Sequence, residues 1–194
     1  MKIASTFMTL ATVAMLWGCG SKSTETTDTT DLADSTNEAV AENAATDSAS
    51  TAAKEDADFA VEAANGGMAE VALSKIAETK ATDPKVKEFA KQMVTDHSKA
   101  NDELKALAAS KNITLPSASD EEKQKAAADL AGKSGTDFDK AYISQMKKDH
   151  DKTVKLFEDG QKEVKDAELK AFIEKTLPVI KAHAEHVKSL DKTK

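Results

Sequence analysis

Apolar residues recur every three or four positions through most of the chain after residue 55, the spacing that places them on one face of an α-helix. No stretch alternates polar and apolar residues as a strand does. The pattern predicts four long helices, over 56–80, 84–111, 137–164 and 167–191, and a short helix that starts at residues 119–122 and ends at about residue 131. Four long helices with two short turns and one long connection predict an all-α four-helix bundle, with a short extra helix between its second and third long helices.

Residues that favour helix N-termini precede four of these segments. Their short polar side chains accept hydrogen bonds from the first backbone N–H groups of a helix. The candidate caps are Asp83 before Pro84, the capping box Ser119–Glu122, Thr136 with Asp139, and Asp166. We therefore expect the helices to begin at these points.

The first 18 residues have the features of a signal peptide. Lys2 precedes an apolar stretch over 3–17 that is too short for a comfortable membrane span. The sequence Leu-Trp-Gly-Cys at 16–19 resembles the bacterial lipobox, in which a small residue precedes a lipidated cysteine. We expect cleavage after residue 18 and a lipid anchor on Cys19, the only cysteine of the chain. No Asp follows Cys19, which favours an outer membrane lipoprotein facing the periplasm or the cell surface.

Residues 19–55 form a polar segment rich in Ser, Thr, Ala and acidic residues. It contains little large apolar surface to offset the entropy lost on folding. We therefore expect a disordered tether between the anchor and a folded domain at 56–194. The tether carries most of the chain's net charge of −7.

Composition excludes several classes of function. All 27 basic residues are Lys, and with a negative net charge this argues against nucleic-acid binding. A single cysteine excludes a disulfide framework and a Cys-rich zinc module. No phosphate-binding loop, dinucleotide fingerprint or nucleophile motif is present, so a non-enzymatic role is favoured.

Each long helix carries one ionisable residue near the middle of its apolar stripe. These residues are Glu70, His97, His150 and His183. Because all four lie at mid-helix, a bundle brings them into one layer. Three imidazoles and a carboxylate suit one divalent transition metal, whether zinc, copper, iron or manganese. A metal-free network is the alternative, since buried polar groups need partners but not a metal.

Further residues lie close enough in sequence to support such a layer. A Gln-Met-x-x-Asp-His string occurs at 92–97 and again at 145–150, which suggests duplication or pseudo-twofold packing. Its acids could orient histidines of facing helices, and its methionines could be soft ligands, although a Met on a core stripe usually fills space. The supporting candidates are Asp96, Asp149, Met93, Met146 and His186.

Several spaced motifs resemble a known bacterial family. They are Ala64-x-Gly66-Gly67-x-x-Glu70, Phe89-Ala90-x-x-Met93-Val94-x-Asp96-His97, Phe138-Asp139-x-x-Tyr142 and Leu177-Pro178-x-x-x-x-His183. They are similar to a ferritin-like domain-of-unknown-function family of envelope proteins, often labelled outer membrane proteins. The resemblance covers about residues 56–190 and implies a ferritin-like four-helix bundle, but no settled activity.

The di-iron pattern of ferritin-like proteins is incomplete in this sequence. Such centres use one Glu from each of two helices and Glu-x-x-His from the other two. Glu70 is the only carboxylate on the core stripes, so a single metal, or none, fits better than a di-iron centre. The sequence thus predicts a lipid-anchored envelope protein whose bundle holds one metal. The alternatives are a metal-free structural or stress-related lipoprotein and a redox enzyme. No protein partner is indicated.

Overall fold

The structure is a computed structural model, and it describes residues 28–42 and 47–192. The predicted signal peptide and Cys19 lie outside these residues. The helices are α1 (Thr29–Glu42), α2 (Asp47–Lys80), α3 (Pro84–Ser110), α4 (Glu121–Ala131), α5 (Gly135–Glu163) and α6 (Ala167–Asp191). In these two ranges no helix is long and apolar enough to cross a membrane.

The four long helices form the predicted bundle. Around it α2 packs on α3, α3 on α6, α6 on α5, and α5 on α2. Asp139 near the start of α5 binds the turn between α2 and α3, so α5 starts at that end and runs parallel to α3. Lys111 after α3 pairs with Asp166 before α6, so α6 runs opposite to α3.

The connection between α3 and α5 has to cross the length of the bundle. Because these helices run in the same direction, the chain must return roughly 40 Å before α5 can begin. Residues 111–134 make this crossing, and α4 within them packs against α2 and α5. The predicted short extra helix is therefore part of the crossover.

Most of the predicted helix starts are confirmed. Asp83 and Asp166 each accept a hydrogen bond from a backbone N–H in the first turn. At the predicted capping box the cap is Asp120 rather than Ser119, and it accepts from the Lys123 N–H. The prediction for Thr136 was wrong. Helix α5 begins at Gly135, which has a positive φ of 59°, and the preceding Ser134 makes no side-chain cap bond. Asp139 is instead buried and binds the α2–α3 turn.

The predicted disordered tether was wrong for residues 29–42 and 47–55, which are helical. Asn37 on α1 explains part of the difference, because its side chain donates to the Thr114 carbonyl at 2.9 Å and accepts from the Thr114 N–H at 2.7 Å. Ala33 and Ala41 are buried, and their small side chains allow close packing on α2. Thus α1 packs through small residues and hydrogen bonds rather than through a large apolar face.

The apolar core consists of two clusters. One lies at the α2–α3 turn and contains Leu73, Phe89, Met93, Tyr142, Met146 and Val187. The other lies at the opposite end and contains Phe59, Leu104, Phe157, Leu169, Ile173 and Ile180. The four ionisable residues predicted to form a layer come between the two clusters along each helix.

We predict that Asp139→Ala destabilises the fold. The carboxylate accepts from the Thr82 N–H at 2.9 Å, the Thr82 hydroxyl at 2.6 Å and the Asp83 N–H at 3.0 Å. Its loss leaves these donors without their acceptor, which should cost roughly 3 kcal/mol of unfolding free energy in urea denaturation. The matched control is Asp137→Ala, in the same helical turn but exposed, which should change stability by less than about 1 kcal/mol. Equal effects of the two substitutions would contradict the assignment.

Candidate metal centre

The structure brings Glu70, His97, His150 and His183 together at mid-bundle. One residue comes from each long helix, at the height where the two apolar clusters meet. All four side chains are buried, and His150 and His183 are at most 1% exposed. The ring centroids of the three histidines are 5.3, 5.6 and 5.8 Å apart.

One nitrogen of each imidazole faces an oxygen acceptor. His97 Nδ1 lies 3.0 Å from Glu70 Oε2, and His183 Nε2 lies 2.9 Å from Asp96 Oδ2. His150 Nδ1 lies 2.9 Å from the Met146 carbonyl and 3.4 Å from Glu70 Oε1. Because carbonyl and carboxylate oxygens only accept, His183 Nε2 and His150 Nδ1 carry hydrogen and donate, while His97 Nδ1 and Glu70 Oε2 are in contact as an ion pair.

The other nitrogen of each ring does not bind these oxygens. His97 Nε2 and His183 Nδ1 are 3.3 Å apart, and His150 Nε2 is buried with no hydrogen-bond partner in the described part of the chain. One nitrogen from each of the three rings can be chosen so that all lie within 4.8 Å of one another. A ring nitrogen without hydrogen carries a lone pair, so a group with one such nitrogen from each ring could hold a metal ion.

Glu70 is in the layer but outside this group of converging nitrogens. Burial alone would raise its pKa, but the charge of His97 and its hydrogen bond lower the pKa of Glu70 to about 2. Glu70 is therefore ionised although it is only 1% exposed. It serves as the acceptor for His97 and lies beside His150.

The histidines differ in their protonation. Burial opposes the charge on His97, but Glu70 outweighs it and raises the pKa of His97. Burial and the neighbouring charge of His97 lower the pKa of His183 to about 4. When His97 is protonated and His183 is neutral, Nε2 of His97 donates to Nδ1 of His183.

The two copies of the Gln-Met-x-x-Asp-His string have different surroundings. Asp96 on α3 reaches across to His183 on α6. Asp149 accepts from Gln145 on its own helix at 2.9 Å, and burial raises its pKa. Asp96 therefore orients an imidazole, while the hydrogen bonds of Asp149 go to Gln145.

The remaining candidates from the sequence have other surroundings. Met93 and Met146 belong to the apolar cluster at the α2–α3 turn, and Met146 contributes only its carbonyl to the layer. His186 is half-buried and packs edge-on against Phe89, with ring centroids 5.0 Å apart. It is not a member of the converging group.

Sequence reasoning missed two polar contributions beside the layer. The Thr153 hydroxyl lies 3.4 Å from Glu70 Oε1 and donates to the Asp149 carbonyl at 3.0 Å. The Ser74 and Tyr142 hydroxyls form a buried pair at 2.8 Å. Thr153 and Ser74 each follow an ionisable layer residue by one helical turn, and this spacing is the signal that could have found them.

The consecutive glycines at 66 and 67 have different roles. A Cβ on Gly67 would overlap the Asn101 side-chain amide, so this glycine allows α3 to approach α2 closely. A Cβ on Gly66 would meet no atom closer than Thr153 Oγ1 at 4.0 Å. Gly66 lines a cleft of about 210 Å³ between α2, α4 and α5, and this cleft reaches Glu70.

We predict that Glu70→Gln lowers the pKa of His97, because the amide removes the negative charge that raises it. The measurement is a pH titration of the histidine side chains by ¹⁵N NMR on the full chain kept metal-free with a chelator. Glu62→Gln is the control, since Glu62 is exposed on the same helix at the edge of the cleft. An unchanged His97 pKa in the Glu70 variant would refute the ion pair.

Comparison with known proteins places the fold and the family. The crystal structure of a DUF305 fragment from Deinococcus radiodurans is similar, with a TM-score of 0.64 and 8% identity, over 72% of this chain and 97% of that one. This likeness confirms the all-α, ferritin-like bundle and concerns the fold alone. No curated protein matches the chain. Residues 39–190 match the family described as Domain of unknown function (DUF4142), and the chain belongs to that family.

Proposed function

We propose that this protein binds one divalent transition metal through His97, His150 and His183 and acts as a metal-binding or metal-buffering module. The observation that carries the proposal is the buried Nε2 of His150, which has no hydrogen-bond partner within the described residues. A buried lone pair without a partner is costly, and coordination would satisfy it. His97 and His183 each offer a nitrogen within 4.8 Å of the nitrogen offered by His150.

In this proposal Glu70 and Asp96 hold the ligands instead of binding the metal. Histidine ligands commonly donate their second N–H to a carboxylate or a carbonyl, which fixes the tautomer and the ring orientation. Glu70, Asp96 and the Met146 carbonyl serve His97, His183 and His150 in this way. Three nitrogen ligands suit zinc, copper or iron better than manganese, which prefers oxygen.

Metal binding in such a site displaces a proton. Without metal, the proton on His97 Nε2 lies between His97 and His183, whose nitrogens are 3.3 Å apart. The metal takes the place of this proton and engages both nitrogens. The negative charge of Glu70 then offsets part of the metal's charge in the buried layer.

The second candidate is a metal-free network that fixes the helix register. It is favoured by the chain of contacts from Glu70 through His97 and His183 to Asp96, which links α2, α3 and α6. In that case the layer would be structural, and added metal would not change stability. The two candidates therefore predict different responses to metal.

We further propose that a lipid on Cys19 holds the bundle at a bacterial membrane, as the lipobox-like sequence indicates. A lipid chain contributes roughly 0.8 kcal/mol per buried methylene group, which tethers a protein without a spanning helix. The metal-binding layer would then act in the cell envelope.

We predict that His150→Leu abolishes metal binding and that His186→Leu does not. The full chain, purified in detergent, is dialysed against Zn²⁺ or Cu²⁺, and bound metal is counted by mass spectrometry. Wild type and the His186 variant should hold one metal per chain. At metal concentrations near 100 Kd, their melting temperature should rise by roughly 5–10 °C.

The His150 variant should show neither stoichiometric metal nor a metal-dependent rise in melting temperature. A wild-type chain without bound metal would refute the proposed function. A change in stability that is the same with and without metal would favour the metal-free network. The His186 control separates the layer from general histidine affinity, because His186 lies on the same helix as His183.

Metal affinity should fall as the pH falls, because the metal competes with the proton on His97. Since Glu70 raises the pKa of His97 above 6.5, the decline should begin above pH 6.5. His183, with a pKa of about 4, adds competition only in more acidic solution. A chelator-competition titration from pH 8 to 5 measures the onset, which Glu70→Gln should move to lower pH. An affinity independent of pH would contradict this account.

A further inference from the structure

We propose that the metal's open position faces a small cavity between α3 and α6 and accepts one inorganic ligand of two or three atoms. This inference rests on the proposed function. The cavity, called here the seam cavity, has a volume of about 30 Å³ and is bordered by His97 and His183. Three protein ligands leave a tetrahedral metal one position for an exogenous ligand.

The seam cavity meets the layer where the two histidines face each other. Nε2 of His97 and Nδ1 of His183 are 3.3 Å apart, and both rings lie on the cavity wall. A metal held by these nitrogens therefore borders the seam cavity. The rest of the wall is mainly apolar and includes Ala63, Leu104, Phe157, Phe172 and Ile180.

The volume of the seam cavity limits the size of the ligand. A water molecule needs roughly 10–15 Å³ of such volume, whereas a cavity that binds benzene is about 150 Å³. The 30 Å³ measured here therefore admits a diatomic molecule or a small linear anion but not an aromatic ring. The same volume excludes bulky organic substrates from the seam cavity.

A surface depression gives the seam cavity access to solvent. This depression has a volume of about 130 Å³ and shares Asp96, Ala100, Thr176 and Val179 with the seam cavity. The two spaces are therefore adjacent along the seam between α3 and α6. Ala100, one turn after His97 on α3, contributes only a methyl group at the junction, so a larger side chain there would close the path.

The larger cleft between α2, α4 and α5 is a poorer route to the metal. Its volume is about 210 Å³, but it reaches the layer only at Glu70, and no histidine lines it. Glu70 already faces His97 with one oxygen and His150 with the other. A ligand in this cleft would therefore meet Glu70 and no metal-binding ring, while a ligand in the seam cavity meets two of the metal-binding rings beside Asp96.

The test uses Cu²⁺ as the bound metal because its complexes are visible by absorption and electron paramagnetic resonance. The full chain is loaded with one Cu²⁺ and titrated with azide, a linear three-atom anion, and separately with imidazole, a five-membered ring. The blocking variant is Ala100→Leu. The matched control is Ala106→Leu, an exposed alanine of the same helix that does not border the seam cavity.

In wild type and in the Ala106 variant, azide should produce a charge-transfer band and a changed resonance spectrum, and imidazole should produce neither. Ala100→Leu should weaken azide binding by at least about tenfold, because the larger side chain fills the path. Its affinity for Cu²⁺ should stay within about threefold of wild type, since no metal ligand changes.

The outcomes separate the two proposals. A chain that binds no Cu²⁺ overturns the proposed function and this inference together. A chain that binds Cu²⁺ but does not respond to azide overturns this inference alone. Equal responses to azide and imidazole, or an Ala100 variant that binds azide as wild type does, also overturn this inference. Neither result contradicts the proposed metal site.

Discussion

The contact between Glu70 and His97 is the interaction on which the centre of this bundle depends. It places a carboxylate that is 1% exposed beside a ring that is 6% exposed, between two apolar clusters. The desolvation of an isolated charge at this depth would cost much free energy, so each group requires the other. Because the pair joins α2 to α3 and Glu70 also lies beside His150 on α5, sliding one helix along another would break it.

The same contacts that satisfy the layer prepare it to bind a metal. Asp96 and the Met146 carbonyl each accept one imidazole N–H and Glu70 lies 3.0 Å from Nδ1 of His97, so one nitrogen of each ring is already engaged. One proton can form a hydrogen bond between His97 and His183, but His150 Nε2 still lacks a hydrogen-bond partner within the described ranges. A metal ion could engage one nitrogen of each of the three rings, which is why the metal proposal accounts for more of the layer than the network alone.

Local sequence signals predicted the long helices well. They failed where the packing of a helix or the role of a side chain depends on contacts with residues distant in sequence. The Asp83, Asp120 and Asp166 caps act within one helical turn, so their effect is readable from neighbouring residues. Helix α1 also has a local cap, since Asp28 accepts from the Thr30 N–H, but its packing depends on Asn37 binding Thr114, 77 residues away in sequence. Asp139 also fits a cap by spacing, yet it binds a turn 57 residues away.

The sequence by itself determined which residues share the central layer, because helical periodicity fixes the face of each residue and the rise per residue fixes its height. Only the tertiary structure decided what each residue does there. Asp96 and Asp149 occupy equivalent places in a repeated string, and α3 and α5 each pack on both α2 and α6, yet Asp96 reaches His183 on α6 while Asp149 binds Gln145 on its own helix. The role of a side chain across a bundle depends on the helix that it faces, and that pairing is set by the packing of all four helices.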